Sequence, residues 1–171
     1  MNTGVQRSSA TPPTARTATT PALGREPGNV FGTGKFTPKI AVAHEIPFVA
    51  TASVADLHDL EAKVLKAMTF RGARYIQINV PCPLGWGAAS HDTIKLARLA
   101  IETGLFPIFE AENGYVTHVR KIRRLTPVVE YLKIQKRFAH LLRDGRQDPR
   151  VEELQAIADR HIKDYGLLEA A

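Results

Sequence analysis

The residues Tyr75, Ile76, Gln77, Ile78, Asn79 and Val80 run directly into Pro81, Cys82, Pro83, Leu84, Gly85, Trp86 and Gly87. β-Branched and aromatic side chains favour a pleated, half-buried strand, while the two prolines cannot continue either a ladder or a helix. The strand is therefore predicted to end in a loop at its carboxyl end. Amphipathic helices are predicted on both sides. In the first, Ser53 or Asp56 can cap the start, Leu57, Leu60, Val64 and Met68 recur at helical spacing, and Asp59, Glu61, Lys63 and Lys66 are expected to face water, with an end near Arg71 and Gly72. In the second, Ser90 or Asp92 opens the helix, Ile94, Ala97 and Ile101 point inward, Lys95, Arg98 and Glu102 point outward, and Gly104 stops it. With a short apolar strand at Pro47 to Thr51 and another over Phe106 to Glu112, the order is strand, helix, strand, helix, strand. That order predicts an α/β fold with a parallel sheet and helices on its faces. Ligands of such sheets sit outside the carboxyl ends of the strands, which directs attention to the loops at 51–54 and 81–90.

The rest of the chain adds smaller elements. Ile40 to His44 reads as a short helix, and Tyr115 to Val119 as a strand joined to the preceding one by the turn pair Asn113 and Gly114. Pro127 opens a short helix, residues 135–142 make another turn or two, and Val151, Leu154, Ile157, Ala158 and Ile162 mark a last amphipathic helix. Residues 1–36 are rich in Pro, Gly, Ser and Thr and sustain neither periodicity, so they are either a ligand-binding loop or a tail. The expected organisation is a loop segment at 1–36, an α/β body at 37–142 and a helical tail at 143–171.

Composition narrows the functional classes. With 44% hydrophobic and 23% charged residues, a length of 171 suits one folded domain. No apolar run approaches the roughly 20 residues of a membrane span, and the first thirty residues lack a signal-peptide core, so a cytoplasmic protein is expected. Cys82 is the single cysteine, which excludes an internal disulfide and any metal site built from several thiolates of this chain. Taken alone, it reads as a buried inert thiol. The net charge of +6 is concentrated at Arg120, Lys121, Arg123, Arg124, Lys133, Lys136 and Arg137. These residues are either a solvated basic face or a docking surface for an acidic protein. No helix-turn-helix, zinc-finger or RNA-binding motif accompanies the charge, so nucleic acid is not expected as a partner.

Three segments together resemble one family. Asn2, Thr3, Gly4, Val5, Gln6, Arg7 and Ser8, followed by Thr11 and Pro12, are similar to an Asn-Thr-Gly-x-Gln-x-Ser motif and its following Thr-Pro. Ala43, His44, Glu45, Ile46, Pro47, Phe48, Val49, Ala50, Thr51, Ala52 and Ser53 are similar to Ala-His-Gly-Ile-Pro-Tyr-Val-Ala-Thr-Ala-Ser. Pro81 to Trp86 is similar to Pro-Cys-Pro-Thr-Gly-Trp. These motifs, in this order and spacing, resemble the thiamine-diphosphate-binding beta subunits of pyruvate:ferredoxin oxidoreductases and other 2-oxoacid:ferredoxin oxidoreductases. The resemblance covers residues 1–142, the C-terminal half of such a subunit.

The resemblance implies a partial Rossmann-like, thiamine-diphosphate-binding domain. It implies oxidative decarboxylation of a 2-oxoacid, pyruvate by default, with the acyl group passed to coenzyme A and electrons passed to iron–sulfur clusters and ferredoxin. Asn2 would be the catalytic polar side chain nearest the substrate, and Asn2, Thr3, Gly4, Ser8 and Thr11 would bind the cofactor. Backbone amides of a glycine-containing loop and short hydroxyls suit diphosphate oxygens on physical grounds as well. Cys82 would be the fourth ligand of a [4Fe-4S] cluster.

Departures from the pattern set further expectations. The family's Gly-Asp-Gly segment and downstream Asn, which hold Mg2+ and the diphosphate, and its three earlier cysteines have no counterpart here. Glu45 replaces a glycine and Leu84 a threonine. The chain is therefore expected to be inactive by itself, to expose an unpaired sheet edge, and to require a separately encoded N-terminal half or the alpha and other subunits. The alternative from a different class is a non-catalytic interaction module that keeps the fold and binds an acidic partner through its basic C-terminal face.

Overall fold

The computed structural model describes residues 36–142 and 148–169. Helix α1 (Thr37–Ala43) carries Pro38 in its first turn, where proline is well tolerated, and leads into strand β1 (Phe48–Ser53), every residue of which is buried. Helix α2 (Leu57–Thr69) is capped by Asp56, whose carboxylate accepts from the Asp59 N–H at 3.1 Å. Strand β2 (Arg74–Asn79) follows and pairs with β1 in parallel, Ala50 opposite Ile76 and Ser53 opposite Asn79. This β1–α2–β2 unit is the expected crossover.

Helix α3 (Pro83–Trp86) is a single turn, followed by a 3₁₀ turn at Ser90–Asp92 and helix α4 (Thr93–Glu102). Strand β3 (Phe109–Glu112) and strand β4 (Tyr115–Val119) form a hairpin about Asn113 (φ 47°) and Gly114 (φ 88°), the left-handed pair that a tight two-residue turn requires. Helix α5 (Val128–Lys133), a 3₁₀ turn at Lys136–Leu141 and helix α6 (Arg150–Tyr165) complete the described chain.

The sheet order is β2-β1-β3-β4, and β3 runs antiparallel to β1. The architecture is α/β as expected, but the sheet is mixed rather than wholly parallel. The reason lies in where the chain re-enters. Leu96 and Ala100 of α4 pack with Trp86, Leu132, Phe138 and Leu154 in a helical cluster beside the sheet, so α4 is not a crossover lying on a sheet face. The chain returns at the carboxyl end of β1, where Thr51 holds it: the Thr51 hydroxyl donates to the Pro107 carbonyl at 2.7 Å and accepts from the Phe109 N–H at 2.9 Å.

The two faces of the sheet are covered differently. Val49, Phe109 and Ala111 pack under Ala41 of α1 and Tyr165 of α6, with the Phe109 and Tyr165 rings stacked at 5.0 Å. Helix α6 thus packs into the body. On the other face Phe48, Ala50 and Ile76 meet Ala67 and Phe70 at α2. The expected inward stripe of α2 is corrected here. Lys63 and Ala67 are the buried residues, whereas Leu57, Val64 and Met68 are exposed. Lys63 tolerates burial because its ammonium sits on both Asp59 oxygens, at 2.8 and 2.7 Å.

Candidate functional site

The site begins where β2 ends. Pro81 and Pro83 stop the ladder, and the intervening Cys82 takes extended backbone angles and caps α3, with its Sγ accepting from the Gly85 N–H at 3.3 Å. The Cys82 side chain is partly buried, and no second cysteine exists in the chain. The turn closes through Trp86 N–H to the Cys82 carbonyl at 2.9 Å and Ala88 N–H to the Pro83 carbonyl at 2.9 Å. Gly87 then adopts φ 64°, and a Cβ there would lie 2.7 Å from Lys136 Cβ, so no side chain fits. The Gly87 carbonyl accepts from the Lys136 N–H at 3.2 Å. At the end of β2, the Asn79 amide nitrogen is buried with no hydrogen-bond partner among the described residues.

The loop is held from below by the 136–141 turn. Trp86 is buried, and the guanidinium of Arg137 lies 3.9 Å from its ring centroid and 4.9 Å from that of Phe138. Arg137 also donates from Nε to Gln135 Oε1 at 2.7 Å and from Nη2 to the Tyr131 hydroxyl at 3.2 Å. Beside this stack an open cleft is lined by Pro83, Leu84, Gly87, Ala88, Ala89 and Lys136. Leu84 projects into solvent.

The basic residues separate into distinct roles. Arg137 is buried within the core rather than part of a surface. Arg120 pairs with Asp56 at 2.7 Å, and Lys121 donates to the Gly166 carbonyl at 2.6 Å. The Asp59 N–H first, and then Arg120, hold the Asp56 carboxyl below its usual range against the opposing effect of burial. Arg123, Arg124, Lys133 and Lys136 are exposed. No helix among the described residues is long and apolar enough to cross a membrane.

Sequence reasoning located Cys82, Trp86 and the loop, but not Arg137 as their support. The signal for it was slight, a single Arg beside an aromatic in an otherwise amphipathic turn. Asn2, Thr3, Gly4, Ser8 and Thr11 lie outside the described residues. A [4Fe-4S] cluster takes four cysteine thiolates, and among the described residues no group of three or more His, Cys, Asp or Glu side chains converges to hold a metal ion. The sequence holds one cysteine, Cys82.

A mixed sheet with a conformationally closed loop beyond a parallel strand places the molecule in the α/β class, with a Rossmann-like sheet. No family model matches the chain. It is 47% identical over 98% of its length to the pyruvate synthase subunit PorB of Methanosarcina barkeri, covering 56% of that protein. It is 40% identical over 99% of its length to the pyruvate synthase subunit PorB of Thermotoga maritima, covering 52% of it. The ketoisovalerate oxidoreductase subunit VorB of Pyrococcus abyssi is 42% identical over 84% of the chain, which covers 47% of that subunit. The chain belongs to the family of beta subunits of 2-oxoacid:ferredoxin oxidoreductases. It spans about half the length of the curated relatives it matches.

Proposed function

We propose that this chain is the C-terminal half of the thiamine-diphosphate-binding subunit of a 2-oxoacid:ferredoxin oxidoreductase, with pyruvate the default substrate, and that it is inactive as an isolated polypeptide. The observation that carries this reading is the similarity along nearly the whole chain to pyruvate synthase subunits, while only about half of each relative is covered. The similarity to a ketoisovalerate oxidoreductase subunit extends the candidate substrates to branched 2-oxoacids.

In the completed enzyme, thiamine diphosphate with Mg2+ supplies the carbanion chemistry of decarboxylation, and the protein's part is binding, orientation and electrostatics. Asn2, Thr3, Gly4, Ser8 and Thr11 would line the cofactor, Asn2 closest to the substrate. Cys82 would supply one thiolate to a [4Fe-4S] cluster. What the described residues contribute is rigidity: the Gly85 N–H to Sγ bond and the Trp86–Arg137 stack fix the direction of Cys82 beyond β2. A thiolate held in this way loses little freedom on ligation. The partners under this reading are the remaining half of the subunit, the alpha and other subunits, ferredoxin, coenzyme A and the 2-oxoacid.

Translation in all frames of the DNA upstream of Met1 tests the reading. A Gly-Asp-Gly segment and a Cys-x-x-Cys pair there would support it. A free-standing gene with neither would leave catalysis without its ligands and sink the enzymatic reading.

A further inference from the structure

The parallel strands β1 and β2 end together, with Ser53 opposite Asn79 in the last registered pair. Side chains alternate across a sheet, so these two share the face of Val49, Thr51, Tyr75 and Gln77, on which α1 packs. Nearer the middle of the strands the polar side chains of this face find partners. The Thr51 hydroxyl donates to the Pro107 carbonyl and accepts from the Phe109 N–H, and Gln77 Oε1 accepts from the Tyr75 hydroxyl at 3.0 Å. The last pair differs. Asn79 Nδ2 is buried and has no hydrogen-bond partner among the described residues. Ser53 is 1% exposed, and its Oγ accepts from the Ala55 N–H at 3.3 Å, which leaves its own proton to donate.

A buried amide without an acceptor is destabilising, and few such groups persist in native proteins. This one stands at the carboxyl ends of two parallel strands, outside which ligands of α/β sheets bind. The chemistry of the pair is one-sided. An amide N–H and a hydroxyl proton exclude a cation and call for an acceptor oxygen or nitrogen. The backbone of the adjoining loop offers no donors in their place: the Val54 N–H is engaged by the Asn79 carbonyl at 3.2 Å, and the Asp56 N–H by the Ser53 carbonyl at 3.1 Å.

We propose that Asn79, beside Ser53, is a cofactor-binding residue of the completed enzyme, its Nδ2 donating to an acceptor atom of thiamine diphosphate at the carboxyl ends of β1 and β2. This rests on the family reading given under the proposed function. It adds to that reading a residue outside the three segments that carry the resemblance. The isolated chain bears the cost of a donor that the bound cofactor satisfies.

Asn79→Leu, which keeps a side chain branched at Cγ and removes the donor, tests the assignment in two measurements. On the isolated full chain the urea midpoint should rise by about 0.5–1 M, because a buried donor without a partner is gone. In the completed enzyme, the affinity for thiamine diphosphate, measured by equilibrium dialysis with Mg2+ present, should fall by about tenfold. A midpoint that is unchanged or lower would mean that water or the protein already satisfies the amide in the isolated chain, and would overturn the assignment. So would a raised midpoint with the parent's affinity, which would make Asn79 a packing fault and nothing more. In either case the family reading stands. Failure of the parent chain to take up thiamine diphosphate in the completed enzyme is read separately from the variant, and would sink the family reading and the assignment with it.

Discussion

The guanidinium of Arg137 lies 3.9 Å from the centre of the Trp86 ring, joining the 136–141 turn to the loop that carries Cys82. A cation held against an indole face in a desolvated setting contributes on the order of 2 kcal/mol. Here the same group also bridges Gln135 and the Tyr131 hydroxyl, so its position is set on three sides. The basic face expected from the sequence is thereby reduced, and a residue of the C-terminal part becomes a support of the candidate site.

Arg137→Ala should accordingly lower stability by about 2–4 kcal/mol, because it removes the stack and leaves buried oxygen acceptors at Gln135 and Tyr131 without their donor. Trp86 is the single tryptophan, so the chain's tryptophan fluorescence reports its surroundings, the Arg137 stack among them. A red-shifted emission in the native state and a lower urea midpoint are expected together. Arg137→Lys should restore only part of either, since an ammonium cannot present the planar fork.

Cys82→Ser separates a structural role from a ligand role. Serine is a good helix cap, so its hydroxyl can accept from the Gly85 N–H in place of Sγ, and stability should change by less than about 0.5 kcal/mol. In the completed enzyme the same substitution should abolish or alter one cluster signal in electron paramagnetic resonance while thiamine diphosphate binding persists. An unaltered signal would remove Cys82 from the ligand set.

What the sequence disclosed depended on whether a local rule determined the outcome. Asn113 and Gly114 announced a hairpin because few residues accept positive φ, and the prolines around Cys82 announced a loop because they end a ladder. The direction of β3 was hidden. Periodicity marks a strand but not which end of its neighbour it enters from, and that was decided by Thr51 holding Pro107 and Phe109. The buried face of α2 was misread because its apolar stripe and its buried face are different surfaces: Lys63 goes inward on Asp59, and Leu57, Val64 and Met68 are left outward. The candidate cofactor residues 2–11 came from the resemblance, and the described residues 36–142 and 148–169 do not reach them.

His161 should make stability depend on pH. Burial holds its pKa below the ordinary value of 6.5, against the raising influences of the Gly104 carbonyl, 3.0 Å from Nδ1, and of Asp164, while Arg160 lowers it further. The ring also stacks on Phe36 at 5.7 Å. A histidine with a depressed folded pKa costs nothing above pH 6.5, where both states are neutral. As the pH falls below 6.5 the unfolded chain takes up the proton first, and stability declines until the folded pKa is passed. Urea midpoints between pH 7.5 and 5 should therefore fall in the parent and fall less steeply in His161→Phe. Identical slopes would assign the acid sensitivity to other groups.

Glu45 connects α1 to β1 at φ 53°, in the left-handed region, where its N–H donates to the Val42 carbonyl at 2.9 Å. The related motif carries glycine at this position, and the backbone angle shows why: a side chain there costs about 1–2 kcal/mol. Part of that is recovered in the comparison, because glycine loses about 0.5–1 kcal/mol more chain entropy on folding. Glu45→Gly should therefore raise stability by about 0.5–1 kcal/mol, read as a higher urea midpoint at unchanged slope. Glu45→Val, which keeps the strain and adds branching at Cβ, should lower it. A lower midpoint for the glycine variant would mean that the Glu45 side chain, packed close to Gly114, stabilises the α1–β1 connection by more than its backbone angle costs.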